Sequence, residues 1–94
     1  MKELERQAIN DLIRVYGLIV EFEDLKKVSD EARFIYNNYI PAKTVISEKI
    51  MIYVSTLFTV AYPNSESNLN LLTVDEAKNI LEELKQLNKT LEKM

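Results

Sequence analysis

The sequence predicts an all-α fold and, within that class, an antiparallel up-and-down four-helix bundle. Four segments repeat apolar residues at spacings of three and four, which is the period of an amphipathic helix. The chain has one glycine and two prolines in 94 residues. Its candidate turns therefore fall at three breaks, namely residues 24–29, Pro41 and residues 63–68. Because short connections between amphipathic helices are typical of such a bundle, we expect a single domain over residues 1–94.

The first two helices are predicted over residues 3–24 and 30–39. The first carries one apolar stripe, formed by Leu4, Ala8, Leu12, Val15, Ile19 and Phe22. Gly17 interrupts this helix, and we attribute the glycine to close approach of a neighbouring helix. Ser29 is a candidate N-cap for the second helix, and Pro41 disfavours helical dihedrals in the residue before it, which ends that helix. The inner face of the second helix consists of Ala32, Ile35, Tyr36 and Tyr39.

The third and fourth helices are predicted over residues 42–62 and 74–92. The third is the most apolar, with an inner face of Val45, Ile46, Ile50, Tyr53, Val54, Leu57, Phe58 and Val60. Its β-branched residues also fit a pair of strands, an alternative that stays open although no tight turn divides the stretch. The fourth begins with a capping box. In this motif the Thr73 hydroxyl accepts a hydrogen bond from the Glu76 amide, and the Glu76 side chain reaches back towards Thr73. Its inner face consists of Ala77, Ile80, Leu84, Leu87 and Leu91.

Composition argues against several functional classes. The formal net charge is −3 and basic residues cluster no further than Lys26 and Lys27, so we expect no nucleic-acid partner. The absence of cysteine favours a cytoplasmic location. We recognise no signal peptide, and the apolar stretch 50–62 is shorter than the about 20 residues that span a bilayer.

No catalytic, cofactor or metal site is expected. The chain has no histidine and no cysteine, the side chains that provide the usual general base and most transition-metal ligands. Glu21, Glu23 and Asp24 could hold a hard cation, but a solvated acidic helix end is the simpler interpretation. A single glycine also excludes a phosphate-binding Gly-rich loop. We therefore expect a protein that binds a protein partner, and not an enzyme with a small-molecule substrate.

The candidate partner-binding residues lie in two places. One is the 63–70 loop with the tyrosine before it, because long loops on rigid scaffolds often carry binding residues and tyrosine is enriched at binding hot spots. Two alternatives stay open, namely that the loop is only a connector and that the tyrosine lies at the edge of the core. The other place is the exposed face of the last helix. The predicted residues are Tyr62, Asn64, Glu66, Asn68, Leu69, Lys78, Lys85 and Lys89.

Three stretches resemble one protein family. Residues 53–62, YVSTLFTVAY, end an apolar helix with an Ala-Tyr pair, and residues 72–84, LTVDEAKNILEEL, start the last helix with a Leu-Thr-acidic pattern. Together with residues 15–19, VYGLI, they resemble the bacteriocin immunity proteins of the enterocin A immunity type, which act against pediocin-like peptides. The chain departs from the family pattern in its longer 63–70 loop.

This resemblance implies both a fold and a function. It implies an antiparallel four-helix bundle that protects a Gram-positive cell from a pore-forming bacteriocin, a form of antimicrobial resistance. It further implies action from the cytoplasm, at the inner face of the membrane, on a membrane permease receptor with bound bacteriocin. The rival hypothesis is a small helical adaptor, or a phage- or plasmid-type inhibitor of a host protein. A neighbouring gene for a short peptide with a double-glycine leader would favour immunity.

Overall fold

The computed structural model describes residues 2–62 and 72–92, most of which are helical, with no strand among them. The helices are α1 (Lys2–Phe22), α2 (Ser29–Tyr39), α3 (Glu48–Thr56), α4 (Phe58–Ala61) and α5 (Val74–Glu92). Two 3-10 turns, Leu25–Val28 and Ile40–Ala42, flank α2. The prediction of an all-α chain is confirmed, and the strand alternative for residues 42–62 is wrong. The antiparallel up-and-down arrangement stays a prediction.

Helix α1 ends at Phe22 and not at residue 24. Glu23 adopts a φ of 53°, and its amide donates to the carbonyl of Ile19 at 2.9 Å. A left-handed residue at this position commonly ends a helix, although glycine usually occupies it because other side chains are strained there. Phe22 was predicted to belong to the buried stripe. It is 48% exposed instead, and its ring centroid lies 5.9 Å from the Lys27 ammonium in the turn that follows α1.

Helix α2 begins without the predicted cap. The carboxylate of Asp24 accepts the amide of Lys26 at 3.0 Å and so caps the 3-10 turn that precedes α2. This turn runs directly into the helix, with Val28 at the N-cap position and Ser29 as the first helical residue. The prediction that Ser29 caps α2 is therefore wrong, whereas the predicted end of this helix at residue 39 is confirmed.

The predicted third helix, residues 42–62, begins only at Glu48. Ala42 ends a 3-10 turn, and its carbonyl accepts the amide of Val45 at 3.0 Å within a further turn. Ser47 then has φ −58° and ψ 147°, an extended conformation that separates this turn from α3. Val45 was predicted on the inner face but is 41% exposed, because it lies in the turn and not on the helix.

The same predicted helix is interrupted at Leu57, between α3 and α4. The amide of Leu57 donates to the carbonyl of Val54, three residues back, at 3.1 Å. The carbonyl of Tyr53 instead accepts the hydroxyl of Tyr16 from α1 at 2.7 Å. The hydrogen bond that a continuous helix would make four residues back is thus replaced by a bond to another helix.

One face of each helix forms the core, as the periodicities predicted. Helix α1 packs along α5, and α2 packs along α4. The predicted inner-face residues that are buried are Ala8, Leu12, Val15, Ile19, Ala32, Ile35, Tyr39, Ile46, Ile50, Tyr53, Val54, Leu57, Val60, Ala77 and Leu84. Within the described ranges, no helix is long and apolar enough to cross a membrane.

The predicted start of α5 is confirmed. The amide of Glu76 donates to the hydroxyl oxygen of Thr73 at 3.1 Å, and the same hydroxyl donates to the Glu76 carboxylate at 3.1 Å. The hydroxyl thereby satisfies an amide that has no partner within the helix. Thr73 and Val74 line one cavity with Glu23 and Asp24, which follow α1.

Gly17 does not mark a close contact between helices, so that interpretation of the sequence is wrong. A Cβ atom placed on Gly17 would meet no neighbouring atom within 4 Å. Replacing Gly17 with alanine is therefore expected to raise the free energy of unfolding by about 0.5–1 kcal/mol, because alanine favours the helix and restricts the unfolded chain. Urea denaturation of both proteins measures the change, and a lower free energy in the variant would contradict this prediction.

Candidate partner-binding surface

Three aromatic rings pack between α2 and the end of α4. The ring centroid of Tyr36 lies 5.6 Å from that of Phe58 and 6.2 Å from that of Tyr62, and the last two are 5.3 Å apart. Such separations are favourable for aromatic pairs. The Tyr62 hydroxyl also donates to the Oδ1 atom of Asn37 on α2 at 3.2 Å. Tyr62, a predicted anchor, is therefore a half-buried member of a packed aromatic cluster.

Arg33 links α2 to the end of α4. Its Nη2 atom donates to the carbonyl of Ala61 at 3.2 Å, one of the last carbonyls of a helix, which lack partners within it. The guanidinium carbon lies 5.5 Å from the centroid of the Tyr62 ring, which is a cation–π distance. Its Nη1 atom is 3.5 Å from the carboxylate of Asp30, a solvent-exposed pair that contributes little. Arg33 therefore helps to hold the Tyr62 ring in one position.

Phe34 is the most exposed large apolar side chain among the described residues, with 65% of its surface accessible. It lies on the outer face of α2, at a shallow concavity of about 520 Å³. Since Arg33 and Asn37 line this concavity and also contact Tyr62, the surface is continuous from Phe34 to Tyr62. We call it the α2 surface, and it consists of Arg33, Phe34, Asn37, Asn38 and Tyr62.

The α2 surface has the chemistry of a protein-binding site. Tyrosine and arginine are enriched at binding hot spots, and a large exposed apolar side chain gains free energy when a partner covers it. Tyr62 was predicted from the sequence, whereas Phe34 was not. A signal for Phe34 was present, because this aromatic residue lies off the stripe of the second helix and so on its polar side.

Of the two predicted parts of the site, the structure describes the lysines of the last helix and Tyr62. The side chains of Lys78, Lys85 and Lys89 are exposed on α5, and the Lys85 ammonium lies 3.9 Å from the Glu82 carboxylate. Helix α5 packs along α1, and the ring of Tyr62 contacts Tyr36 on α2 and Phe58 on α4. The predicted loop residues Asn64, Glu66, Asn68 and Leu69 lie outside the described residues.

Three buried tyrosines donate hydrogen bonds between helices and belong to the core. Besides the bond from Tyr16 to α3, Tyr39 donates to the Asp11 carboxylate at 2.5 Å and Tyr53 donates to the Glu83 carboxylate. Burial, with the hydrogen bond and charge of Glu83, raises the pKa of Tyr53 to about 12. Burial is also the largest cause of the raised pKa values of Tyr16 and Tyr39. All three hydroxyls are therefore protonated donors at neutral pH.

The acidic residues at the end of α1 do not converge on a point. In residues 2–62 and 72–92, no three acidic side chains come close enough together to hold a metal ion. The Asp24 carboxylate accepts a backbone amide instead, and Glu21 and Glu23 are exposed to solvent. This part of the chain has the geometry of a solvated acidic helix end, the simpler of the two interpretations of the sequence.

Comparisons of the chain with known protein families, curated proteins and solved structures find no match. The family resemblance of the sequence therefore stays a prediction.

Proposed function

We propose that this chain is a bacteriocin immunity protein that protects a Gram-positive cell from a pore-forming bacteriocin. It would act in the cytoplasm, at the inner face of the membrane, by binding the permease receptor once the bacteriocin has bound to it. The observation that carries the proposal is the α2 surface, where exposed Phe34 lies beside Arg33 and Tyr62. The α2 surface supports recognition of a protein, and the resemblance supplies the identity of that protein.

The α2 surface suits binding because its aromatic anchors are already positioned. The Tyr62 side chain is held by the side-chain amide oxygen of Asn37 and by the Arg33 guanidinium. Little side-chain freedom is therefore lost when a partner covers it. Covering the Phe34 ring would contribute up to about 1.5–3 kcal/mol. The exposed lysines at positions 78, 85 and 89 form a second region on α5, where an anionic membrane surface or the receptor would make contact.

The proposed fold is the antiparallel up-and-down four-helix bundle of the resembled family. In support, Arg14 pairs with Glu31 near the start of α2 at 3.0 Å, whereas Asp11, earlier in α1, accepts a hydrogen bond from Tyr39 at the end of α2. This order of contacts is that of two antiparallel helices. Residues at the end of α1 and the start of α5 line one cavity, as expected if these helices also run in opposite directions.

The proposal predicts that expression of the chain raises the survival of a sensitive strain exposed to its cognate pediocin-like peptide. Phe34→Ala should abolish most of this protection, because it removes the exposed anchor without touching the core. Ile52→Ala is the matched control, since Ile52 on α3 is 57% exposed and lies outside the α2 surface. Survival is scored over a range of peptide concentrations, and circular dichroism verifies that both variants fold.

Two results would count against the proposal in different ways. Failure of the unaltered chain to protect against any peptide of a broad pediocin-like panel would reject the immunity function. Equal protection by Phe34→Ala and Ile52→Ala would retain immunity and reject the α2 surface. Capture of a host protein that depends on Phe34, without any protection, would instead support the adaptor or inhibitor hypothesis.

A further inference from the structure

A second concavity, of about 390 Å³, lies between the end of α1, the chain around α4 and the start of α5. Its volume is that of a pocket for a small ligand or a large side chain. Val60 and Leu72, which line it, are almost fully buried, so its inner wall is part of the hydrophobic core. We call it the α1–α5 cavity. Among residues 2–62 and 72–92, its uncharged lining consists of Leu25, Thr59, Val60, Leu72, Thr73 and Val74, and its charged lining of Glu23, Asp24 and Lys26.

The charge around the α1–α5 cavity is predominantly negative. Of the three charged lining residues that the structure describes, two are acidic, and further acidic residues precede and follow them in the sequence. The carboxylates of this region are Glu21, Glu23, Asp24, Asp75 and Glu76, against the ammonium groups of Lys26 and Lys27. The ion pairs of the described residues lie elsewhere, on α1 with α2, within α2 and within α5. None of those ion pairs includes one of these five carboxylates, although Asp24 accepts the Lys26 amide and Glu76 accepts the Thr73 hydroxyl.

Two features of this region oppose local stability. The last turn of α1 contains no basic residue and is followed by Glu23 and Asp24, so negative charge accumulates at the negative end of the helix dipole. Glu23 also adopts a left-handed conformation that glycine would occupy with less strain. Local features that conflict with stability are expected chiefly at functional sites. Positive charge from a partner would relieve the first of these conflicts.

We propose that the α1–α5 cavity binds an apolar side chain of a cationic amphipathic peptide segment. The apolar side chain would enter the cavity, while lysine or arginine residues on either side of it would face the surrounding carboxylates. Phe22, the residue before Glu23, is also exposed, and the Lys27 ammonium lies 5.9 Å from the centroid of its ring. A metal ion fits less well because the carboxylates do not converge, and nucleic acids and anionic lipids carry the wrong charge. This site uses different residues from the α2 surface, so it does not rest on the proposed function.

A synthetic amphipathic peptide of leucine and lysine, with one tryptophan on its apolar face, provides the probe. The chain contains no tryptophan, so the indole emission comes from the peptide alone. Binding in the cavity is expected to shift this emission to shorter wavelength in a saturable manner. The affinity should fall as salt is added, since exposed charges are screened. A counterpart peptide with glutamate in place of lysine should not bind.

Glu23→Gly separates binding from folding. It removes a carboxylate from the cavity and also the strain of a left-handed glutamate, so we expect the melting temperature to rise while peptide affinity falls by about 2- to 5-fold. Glu3→Gln is the matched control, because it changes the net charge equally at the opposite end of α1 and should leave the affinity unchanged. Val74→Phe, which places a ring in the cavity, should weaken binding by at least about 10-fold.

The measurements can overturn the proposal directly. Equal binding of the lysine and glutamate peptides would show that the carboxylates do not select the partner. Unchanged affinity in both Glu23→Gly and Val74→Phe would show that the peptide binds elsewhere. An equal loss in Glu23→Gly and Glu3→Gln would mean that only the net charge of the protein matters. Because Glu23→Gly is expected to be more stable than the unaltered chain, the test holds even if Val74→Phe fails to fold.

Discussion

Replacing Leu57 with alanine is expected to lower the free energy of unfolding by about 2–5 kcal/mol. Leu57 is fully buried and lies where α3 gives way to α4. Its truncation removes apolar atoms from the core and leaves a cavity that the surrounding helices can only partly fill. The backbone here cannot readily move to fill the cavity. The carbonyl of Leu57 accepts hydrogen bonds from the amides of Val60 and Ala61, at 3.0 and 2.8 Å, and these bonds fix the backbone. Urea denaturation measures the loss.

Ile52→Ala provides the control for this measurement. Ile52 is on α3, five residues before Leu57, and is 57% exposed, so its truncation should change the free energy of unfolding by no more than about 0.5 kcal/mol. The difference between the two variants isolates the effect of burial from that of losing an aliphatic side chain. A loss below about 1 kcal/mol for Leu57→Ala would show that Leu57 does not belong to the packed core.

Tyr16→Phe is expected to cost about 1–3 kcal/mol, although only one oxygen atom is removed. Tyr16 is fully buried, and its hydroxyl donates to the carbonyl of Tyr53 at the end of α3. Without that hydroxyl, the carbonyl of Tyr53 loses its hydrogen bond from Tyr16 inside the core. The amide of Leu57 does not replace it, because that amide donates to Val54. Tyr36→Phe is the matched control, since Tyr36 is half-buried and contacts its neighbours through its ring. An equal effect of the two substitutions would contradict the proposed role of the Tyr16 hydroxyl.

The pH dependence of stability provides a second measurement on Tyr16. Burial raises the pKa of Tyr16 above its ordinary value of 10.0 in the folded protein, with the charge of Tyr53 as a smaller cause. The stability that depends on the neutral hydroxyl is therefore fully present below pH 10 and is lost as the pH rises towards the folded-state pKa. The free energy of unfolding should thus fall less steeply above pH 10 in Tyr16→Phe than in the unaltered chain. Equal slopes would contradict this assignment.

The candidate site could be predicted only in part. Tyr62 was recognised because a tyrosine before a proline at a helix end is a recognisable pattern, but its contacts with Arg33 and Asn37 were not predictable. Those residues lie 25 or more positions away in the sequence, and only the packing of α2 on α4 brings them together. Phe34 could have been noticed as an aromatic residue off its stripe, whereas its continuity with Tyr62 depends on that same packing.

The sequence by itself determined which segments are helical and which side of each faces the core. Spacings of three and four place apolar residues on one face of a helix whatever its neighbours are, and so Leu12, Ile35 and Leu84 are buried as predicted. The start of α5 was equally predictable, because the cap between Thr73 and Glu76 involves only residues three positions apart.

Only the tertiary structure decided where the third predicted helix begins and where it breaks. The Glu5 carboxylate from α1 accepts the amide of Ser47 at 3.1 Å, just before α3, and the Tyr16 hydroxyl occupies the carbonyl of Tyr53 from 37 positions away. A backbone group forms the hydrogen bond of lower free energy, either with its local partner or with a distant side chain. The distant side chain comes within reach only after the chain has folded. Helical periodicity contains no information about that choice, so it predicted one continuous helix where packing produces two.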